Sequence, residues 1–571
     1  MVSQTDSQDN RIPSANAQAA SQEKYDIALI GSGILGSALA FSLGHSGRKV
    51  LLLERDLSEP DRIVGELLQP GGVLALQQLG LGDALDGIGA VPCEGYKVFW
   101  GSHSVPIPYP DQGRVKEWQR GARGGEKEKA QEKGEEEGKK QLGASFHHGR
   151  FVQSLRRRAA SAPNVTLVEA TVNSLLTSPD SIVSGVTATP RGSTSSSPLQ
   201  FNATLTIVAD GCASKFRREL LPAHVTPSTR SHFVGLVLED ADLPAPHHGH
   251  VILRQPPSAS SSSSPSPPKT SPHEPTVGPV LVYQLSPPEL SRHAGSETRM
   301  LVDVRGPKLP PASQLPSFLL THVPPVLPSS ILPSFERALA RAMSEDKEER
   351  QKYRLRSMPN SWLPAHPQGR DTQGVILAGD ALNMRHPLTG GGMTVAFSDA
   401  VILTSLLGGG KQAGQVEMDR RGTVDLESWY EVSERLEEWH WRRKGVASCV
   451  NVLSLALYDL FGAEDDNLEV LKTGCFKYFE LGGDCIEGPV SLLSALRPSP
   501  LLLFYHFFRV AFYSIFLLFT QPLSSSSSSP SSSAAKKPGM LDYPALSVKA
   551  VKVFWTACVV LLPVLWSEGQ M

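Results

Sequence analysis

The sequence is poor in cysteine: it has six among 571 residues, and no two of them are spaced as C-x-x-C. Zinc sites and disulfide frameworks use closely spaced cysteines, so this pattern argues against both. Scattered free cysteines are typical of proteins in a reducing compartment. We therefore expect neither a metal site nor a disulfide.

The sequence also lacks an excess of either charge, with 55 Lys and Arg against 57 Asp and Glu and a net charge of −2. This balance gives no electrostatic reason to expect a nucleic-acid partner. The first 24 residues contain no apolar run, so we expect neither a signal peptide nor an N-terminal anchor. The length predicts two or three domains.

Long apolar runs are confined to the C-terminal part, at residues 501–520 and 548–566. Each approaches the roughly 20 residues that span a bilayer. Arg509 in the middle of the first run is costly in lipid, and Pro563 interrupts the second. We expect association with a lipid bilayer, while spanning, hairpin and interfacial arrangements all remain open.

Three segments have the composition of solvated insertions. Residues 111–141 mix both charges densely, and residues 256–275 and 524–539 are rich in serine and proline. Such segments cannot bury an apolar core, and we expect them to be disordered. The charged segment directly follows "PYP" (108–110), so it either covers a site formed around these residues or projects away from it.

The remaining chain alternates strand-like and helix-like runs. Residues 24–56 are predicted to form a strand, a glycine turn, a helix and a second strand. Residues 151–176 are predicted to form a helix and a strand, residues 199–220 a strand and a helix, and residues 374–407 a strand, a loop and a helix. Residues 226–369 are more β-like, which indicates a second domain.

The glycine turn of the first unit reads Gly31-Ser-Gly33-Ile34-Leu35-Gly36. In such a turn the first glycine allows the tight bend, the second lets the backbone approach a pyrophosphate, and the third lets helix and strand pack closely. Glu54 ends the second strand, where an acidic side chain can bind ribose hydroxyls. The unit predicts a dinucleotide site without separating NAD from FAD.

Two later segments favour FAD. "ADGCASKFR" (209–217) and Gly379-Asp380 resemble the second and third fingerprints of the flavoprotein hydroxylase group. Gly390, Gly391 and Gly392 then precede an apolar helix. The N–H groups of that helix terminus would point at the N1–C2 edge of the flavin, where negative charge develops on reduction, and a side chain there would collide with the ring.

A closer resemblance covers about residues 24 to 567 apart from the three insertions. The chain is similar to the squalene epoxidase family in the segments "DRIVGELLQPGG" (61–72), "IPYP" (107–110), "FHHGRF" (146–151), "DGCASKFR" (210–217), "SHFVGL" (231–236), "LVDVRG" (301–306) and "GDALNMRHPLTGGGMTVAF" (379–397). These motifs are long and, in combination, specific.

The resemblance implies a set of site residues. Glu54 and Arg55 would bind the adenosine ribose region, Arg62 and Arg150 would contact FAD, and Tyr109 would be the active-site tyrosine, oriented by Gln69. The full set implied for FAD is Gly31, Gly33, Ile34, Leu35, Gly36, Glu54, Arg55, Arg62, Arg150, Val172, Asp210, Asp380, Gly391, Gly392 and Met393, with Asp380 and Met393 at the ribityl chain and ring.

Three histidines, His147, His148 and His386, are candidates for bases or metal ligands. No carboxylate or cysteine stands at ligand spacing from them, so we expect hydrogen-bonded structural roles.

The resemblance implies an α/β fold with a Rossmann-like FAD-binding domain of the flavoprotein hydroxylase type, a β-rich substrate domain and C-terminal membrane-associated helices. The domains expected are a disordered N-terminus (1–23), FAD-binding parts (24–225 and 370–410), the substrate domain (226–369) and the membrane-associated region (411–571).

The implied reaction is FAD-dependent epoxidation of squalene to (S)-2,3-oxidosqualene by O2 through a flavin C4a-hydroperoxide, in sterol biosynthesis of the ergosterol type. Electrons from NADPH would come from an NADPH–cytochrome reductase. The implied location is the endoplasmic reticulum membrane, with lipid droplets as a further site and the catalytic domain facing the cytoplasm. Two alternatives remain: a related flavoprotein such as a geranylgeranyl reductase, and a non-catalytic prenyl-binding escort protein of the Rab GDP-dissociation-inhibitor type.

Overall fold

A computed structural model describes residues 12–122, 138–192, 197–254, 275–291, 295–306, 308–462, 465–520, 539 and 541–570. Most of the two Ser/Pro-rich segments, the middle of the charged segment and residues 1–11 lie outside these ranges.

The described chain contains sixteen strands. They are β1 (Lys24–Ile30), β2 (Val50–Glu54), β3 (Leu67–Leu68), β4 (Val91–Cys93), β5 (Gly95–Trp100), β6 (His103–Pro108), β7 (Gly143–Ser145), β8 (Val165–Thr177), β9 (Val183–Pro190), β10 (Leu199–Val208), β11 (Ser228–Glu239), β12 (His248–Leu253), β13 (Thr276–Ser286), β14 (Glu297–Arg305), β15 (Arg356–Trp362) and β16 (Val375–Leu377).

Helices follow or separate these strands. The α-helices in the described ranges are α1 (Ala17–Ala20), α2 (Ile34–His45), α3 (Pro70–Gln78), α4 (Gln112–Ala122), α5 (His148–Ser161), α6 (Arg217–Leu220), α7 (Leu315–His322), α8 (Leu332–Ala342), α9 (Lys347–Lys352), α10 (Gly392–Leu407), α11 (Trp429–Phe461), α12 (Asp466–Glu480), α13 (Asp484–Leu493), α14 (Pro500–Thr520) and α15 (Tyr543–Gln570).

The first sheet has six strands and carries the predicted dinucleotide unit. β1 pairs in parallel with β2 and β10, β2 pairs in parallel with β8, and β10 pairs in parallel with β16. Helices α2, α5 and α10 pack together beside it. Because helices cover a parallel sheet, its strands read as continuous apolar runs such as "IALI" and "VLLL". The strand–turn–helix–strand prediction for residues 24–56 is confirmed, as are those for 151–176, 199–220 and 374–407.

The second sheet has seven strands in the order β15-β11-β14-β13-β12-β5-β6. Its pairs are antiparallel except β12–β5, which is parallel. One face packs against α7 and α8 through a cluster that includes Val234, Phe335 and Leu339. The β-rich character expected for residues 226–369 is confirmed. The sheet also includes residues 95–108, which the sequence analysis placed with the FAD-binding part.

A small third sheet, in the order β3-β7-β4, connects the two larger ones. Leu67 and Leu68 pair with Ser145 and Ala144. This pairing fixes the chain immediately before Gln69 and immediately before Phe146, so two of the quoted motifs meet here.

The C-terminal part of the described chain consists of helices. Three of them are long and apolar enough to cross a membrane, namely α11, α14 and α15. The protein buries half of the most apolar stretch of α11, but only 22% of that of α14 and 17% of that of α15. The last two therefore present long apolar faces, with Phe512, Val551 and Trp555 exposed.

The structure corrects two expectations of disorder. Residues 12–23 pack on the first sheet, where the Ala15 N–H donates to the Leu167 carbonyl and Ile12 and Ala20 are buried. The start of the charged segment forms α4, because its Val115 side chain is buried and Arg114 and Arg497 lie over the ring of Trp118. A sequence can be dense in charge and still present one apolar face as a helix.

Candidate active site

The turn between β1 and α2 has the geometry of a phosphate cradle. Gly31 has φ +100°, and a Cβ there would lie 2.7 Å from the Ala209 carbonyl oxygen. A Cβ at Gly36 would lie 1.9 Å from the Gly31 carbonyl oxygen, whereas one at Gly33 would meet no atom of the described residues within 4 Å. The protein therefore needs Gly31 and Gly36 for its own packing, and it leaves space for a ligand at Gly33. Ile34 and Leu35 open α2 and contribute free backbone N–H groups beside that space.

Glu54 lies at the end of β2, beside this turn. Its Oε2 accepts a hydrogen bond from the Ser32 N–H at 2.7 Å and lies 3.2 Å from a guanidinium nitrogen of Arg156. Arg156 also donates to the Ser32 carbonyl at 2.8 Å, and burial lowers the pKa of its guanidinium. The sequence alone does not indicate Arg156, because it stands in the run "RRR", which resembles a solvated helix face. Arg55, which follows Glu54 in the chain, is exposed.

A second arginine, Arg217, joins the two segments that resemble the later flavoprotein fingerprints. It donates to the carbonyl of Asp380 at 2.8 Å, to that of Ala381 at 2.9 Å and to that of Cys212 at 3.0 Å. Sequence reasoning missed Arg217 as well, because its carbonyl partners at 380 and 381 are distant in the chain.

The carboxylate of Asp210 lies in this joined region. One of its oxygens is buried and has no hydrogen-bond partner among the described residues, and burial raises the pKa of the side chain. Asp380 is exposed. Together they offer acceptors for the hydroxyl groups of a sugar or ribityl chain, so this region fits FAD.

The three consecutive glycines serve three different purposes. Gly390 has φ +63° and ends the 3-10 helix Pro387–Thr389. A Cβ at Gly391 would lie 2.2 Å from Cγ1 of Val450. One at Gly392, the first residue of α10, would meet nothing within 4 Å in the part of the chain that the structure describes. The expectation that a side chain at any of the three would strike the flavin is therefore too broad, and only Gly392 has open space at its Cβ. Met393 follows it and is buried.

Tyr109 and Gln69, predicted as a pair, are both fully buried and in contact. The Tyr109 hydroxyl donates to Gln69 Oε1 at 2.7 Å, and Gln69 Nε2 donates to the Thr389 carbonyl at 2.7 Å and to the Tyr96 hydroxyl. The amide of Gln69 therefore joins the tyrosine to the glycine turn. Burial raises the pKa of Tyr109 well above its usual value, with smaller contributions from Tyr96 and Cys93, so the phenol stays neutral.

Tyr96 was not predicted as a site residue, because aromatic residues are common in strands and it stands within the strand "GYKVFW". Its ring meets that of Tyr109 edge-on, with centroids 6.0 Å apart. Burial also raises its pKa.

The other predicted FAD contacts lie at the margins of this region. Arg62 is exposed, and Arg150 is half-buried and donates to the Leu290 carbonyl at 2.8 Å. Val172 is buried in β8, and its carbonyl accepts a hydrogen bond from Lys215.

All three histidines have hydrogen-bond partners. His147 Nε2 lies 2.5 Å from a carboxylate oxygen of Glu297, and His148 Nδ1 lies 2.9 Å from the Gly65 carbonyl oxygen. His386 accepts from the Leu388 N–H and lies 3.1 Å from the Ser231 hydroxyl. No group of three metal-ligating side chains occurs among the described residues.

A buried ion pair supports the motif that contains Gln69. Both carboxylate oxygens of Glu66 accept hydrogen bonds from Arg299 of β14, at 2.8 and 2.9 Å. Both side chains are almost wholly buried, so removing either would leave the other as an unpaired buried charge. The pair therefore fixes β14 against the segment before β3.

A large apolar cluster lies next to Tyr109, between the second sheet and the C-terminal helices. Apart from Tyr96 and Tyr109, it includes Ile63, Leu67, Val98, Ile107, Phe233, Leu281, Tyr283, Leu301, Leu388, Tyr458, Phe476 and Val490. These side chains are buried against one another, and a ligand held among them would meet hydrocarbon groups and few polar ones.

A family model described as squalene epoxidase matches residues 202–261 and 274–528. The squalene epoxidase of Schizosaccharomyces pombe is 38% identical over 546 residues, which cover 95% of this chain and 98% of the relative. The chain belongs to the squalene epoxidase family. Squalene monooxygenase of Mus musculus is also 38% identical and covers 95% of this family member and 78% of the relative.

Solved structures with the same fold include a monooxygenase and a brominase. The p-nitrophenol 4-monooxygenase PnpA of Pseudomonas putida aligns with a TM-score of 0.55 at 16% identity, over 83% of this squalene epoxidase family member and 99% of PnpA. The flavin-dependent brominase Bmp2 aligns with a TM-score of 0.53 at 14% identity, over 86% and 99%. The predicted fold class is confirmed.

Proposed function

We propose that this chain is an FAD-dependent squalene monooxygenase, which epoxidises the terminal double bond of squalene to (S)-2,3-oxidosqualene in sterol biosynthesis of the ergosterol type. Family membership supports the substrate and the reaction, since fungal and mammalian relatives that match 95% of this chain are named squalene epoxidase or squalene monooxygenase. The fold, which is shared with a flavin-dependent brominase, supports a flavin enzyme.

The single observation that carries this proposal is the contact between the apolar cluster and the polar unit of Tyr109, Gln69 and Thr389. The cluster can bind a hydrocarbon, and the unit connects it to the open space at Gly392. A double bond held against this cluster would face the position at which a flavin ring fits.

When bound, FAD supplies reduced flavin, which activates O2 for transfer of one oxygen atom. The glycine turn at Gly31–Gly36 and the N-terminus of α2 would hold its pyrophosphate, and Glu54 and Arg55 its adenosine ribose. Asp210 and Asp380 would bind the sugar and ribityl hydroxyls, with Arg62, Arg150 and Val172 at the edge. The N–H groups at Gly391, Gly392 and Met393 would face the ring edge that becomes negative on reduction.

The roles proposed for Tyr109 and Gln69 follow from their hydrogen bonds. The Tyr109 oxygen holds its proton and directs it at Gln69 Oε1, so a neutral phenol would face a substrate held against the apolar cluster. Gln69 fixes that phenol relative to the carbonyl of Thr389, immediately before the glycines. The surrounding apolar side chains exclude water, which would divert the activated oxygen.

The reaction needs two electrons and two protons for each O2, because one oxygen atom enters the substrate and the other leaves as water. We propose that an NADPH–cytochrome reductase supplies these electrons. The FAD site accounts for the one dinucleotide fingerprint that the sequence contains.

We also propose that a lipid bilayer covers the exposed faces of α14 and α15. Phe512 of α14 and Trp555 of α15 point away from the protein, and the substrate itself is a hydrocarbon. The proposed location is the endoplasmic reticulum membrane, with the catalytic part on the cytoplasmic side and lipid droplets as a further site.

The proposed domain division keeps residues 24–225 and 370–410 as FAD-binding parts, 226–369 as the substrate domain and 411–571 as the membrane-associated region. The hairpin of β5 and β6 contributes to the substrate domain, since it extends the second sheet.

Product analysis tests the proposal. The detergent-solubilised chain is supplied with FAD, NADPH, the reductase and squalene under 18O2, and the product is examined by mass spectrometry. We expect 2,3-oxidosqualene carrying one 18O atom. A reducible yellow protein that forms no epoxide would contradict the substrate assignment, whereas a colourless protein would contradict the flavin assignment. Full-rate NADPH oxidation without the reductase would exclude the proposed partner.

A further inference from the structure

The apolar helix α15 carries one buried carboxylate, Glu568, near its carboxyl end. Oε1 of this residue accepts a hydrogen bond from Asn451 Nδ2 at 2.8 Å, and Oε2 accepts one from the Ser448 hydroxyl at 3.1 Å. Lys444 donates to the Glu568 backbone carbonyl at 2.6 Å. A carboxylate is rarely buried unless it is paired, so these contacts with α11 define where α15 docks.

Asn451 connects Glu568 to the loop before α10 through hydrogen bonds. Its Oδ1 accepts from Arg385 Nε at 2.7 Å, while its Nδ2 donates to Asn383 Oδ1 at 3.2 Å as well as to Glu568. Because the amide accepts on one side and donates on the other, Glu568 and Arg385 together allow only one orientation of the Asn451 side chain.

Arg385 in turn holds both ends of the loop. It donates to Asn383 Oδ1 at 2.6 Å and to the Gly392 carbonyl at 3.4 Å. The Asn383 N–H donates to the Gly379 carbonyl, beside Asp380. The guanidinium is buried, and among the described residues no carboxylate is in hydrogen-bond contact with it. Its charge is balanced only at longer range, by Asp380, Asp399 and Glu568.

Asp399, another carboxylate near Arg385, is already paired with a different arginine. Asp399 of α10 accepts two hydrogen bonds from Arg443 of α11, both at 2.9 Å. Since Asp399 is held by Arg443, Glu568 is the carboxylate that reaches Arg385 through a single side chain, Asn451.

We infer that Glu568 is a positioning residue for FAD: through Asn451 it holds Arg385, and Arg385 holds the backbone from Gly379 to Gly392 against the cofactor. The docking of α15, whose apolar face is exposed, is thereby coupled to the part of the FAD site where the flavin ring would bind, at Gly392. The inference rests on the proposed function, because that function places FAD at Gly392 and Asp380.

The test measures FAD binding to the full-length chain in detergent micelles, by the dissociation constant and by the visible circular dichroism of bound flavin. We expect Glu568→Ala to weaken FAD binding about tenfold and to alter the dichroism, as for coupled members of one hydrogen-bonded network. Glu568→Gln keeps an acceptor for Asn451 and should restore both readouts nearly to the parental level. If Glu568→Ala does not fold, Glu568→Asp, which withdraws the carboxylate from Asn451, gives the same test.

The matched control is Val553→Ala, which loosens the packing of α15 at a wholly buried site away from Asn451. We expect it to lower thermal stability without changing the affinity for FAD. The double variant of Asn451→Ala and Glu568→Ala should bind FAD no more weakly than Asn451→Ala alone, because Glu568 acts through Asn451.

Parental affinity and dichroism in Glu568→Ala or Glu568→Asp would overturn the inference and leave the proposed function standing. The inference would also be overturned if Val553→Ala and Glu568→Ala lost the same stability and weakened FAD binding to the same extent. A parental chain that binds no FAD would instead overturn the proposed function.

Discussion

The hydroxyl of Tyr109 donates a hydrogen bond to Oε1 of Gln69, over a distance of 2.7 Å, inside a fully buried environment. The same amide donates to the carbonyl of Thr389. Residues from three distant parts of the chain thus form one rigid unit, and the position of the phenol relative to the glycine turn depends on it.

Tyr109→Phe removes only the hydroxyl group, so the fold and FAD binding should survive. We expect kcat for squalene epoxidation to fall about tenfold to a hundredfold, because a ring without this hydrogen bond would no longer hold its position beside the substrate. Tyr25→Phe, which removes the same atom from a buried tyrosine of the first sheet, is the control and should retain full activity. Unchanged kcat in Tyr109→Phe would reduce Tyr109 to a packing residue.

The adjacent glycines 391 and 392 should respond oppositely to alanine. At Gly392 a methyl group would meet no atom of the described chain within 4 Å, so Gly392→Ala should fold normally but bind FAD at least about tenfold more weakly. At Gly391 it would lie 2.2 Å from Val450, so Gly391→Ala should lose about 1–3 kcal/mol of stability. Thermal melting and FAD titration separate the two effects. The second-site change Val450→Ala should rescue only Gly391→Ala, and rescue of both would argue against a ligand at Gly392.

Arg217→Lys tests the junction between the two later fingerprint segments. Lysine keeps the charge, but its N–H groups radiate from a single nitrogen. The guanidinium instead reaches the carbonyls of Asp380, Ala381 and Cys212 from three separate nitrogens in one plane. We expect FAD affinity to fall about tenfold. The matched control is Arg218→Lys at the exposed neighbouring position, which should bind FAD as the parent does. Equal affinity in both variants would show that the junction does not support the cofactor.

His250 should make the stability of the second sheet sensitive to acid. Burial lowers its pKa to about 4, and its Nε2 accepts a hydrogen bond from the Ala245 N–H, which requires the neutral ring. Between about pH 6.5 and 4 the unfolded chain binds the proton and the folded chain does not. The stabilisation is therefore present above pH 6.5 and lost on acidification, by about 3 kcal/mol.

Urea midpoints at pH 7 and pH 4.5 measure this loss. His250→Gln should show a smaller difference between the two pH values than the parent, whereas His224→Gln, at an exposed histidine, should not. An identical pH dependence in His250→Gln would assign the acid sensitivity to other groups.

Trp555→Glu tests the apolar face of α15. A carboxylate at this exposed position should reduce binding to phospholipid vesicles by about tenfold or more, because charge is costly in the hydrocarbon layer. Ile182→Glu, at an exposed apolar residue between β8 and β9, should bind vesicles as the parent does. Flotation assays give the bound fraction, and equal losses in both variants would indicate a non-specific charge effect.

The sequence predicts best what lies within one short stretch of chain. The cradle at Gly31–Gly36 is contiguous with its strand and helix, so spacing alone identifies it. Arg156 and Arg217 escape such reasoning because each one's decisive partners come from distant segments. The contact of Tyr109 with Gln69 could be expected only from family resemblance, since no local pattern relates residues 40 positions apart.

The second sheet shows a different limit. Residues 95–108 follow the FAD-binding pattern in the sequence, yet they extend a sheet whose other strands lie between residues 228 and 362. The helix α4 was not predicted because the many charged residues of this segment indicate disorder, although one face of the helix, around Val115, is apolar and buried. In both cases a distant partner, and not local preference, decides the structure.

The parallel pairing of β5 with β12 also constrains how the chain is made. The ribosome completes the β5–β6 hairpin by residue 108, whereas β12 begins only at residue 248. At about 5–20 residues per second, the inner edge of the hairpin stays unpaired for about 7–28 seconds of synthesis. During that interval its backbone N–H and C=O groups can template pairing with another nascent chain, so a chaperone that covers this edge would protect the chain from aggregation.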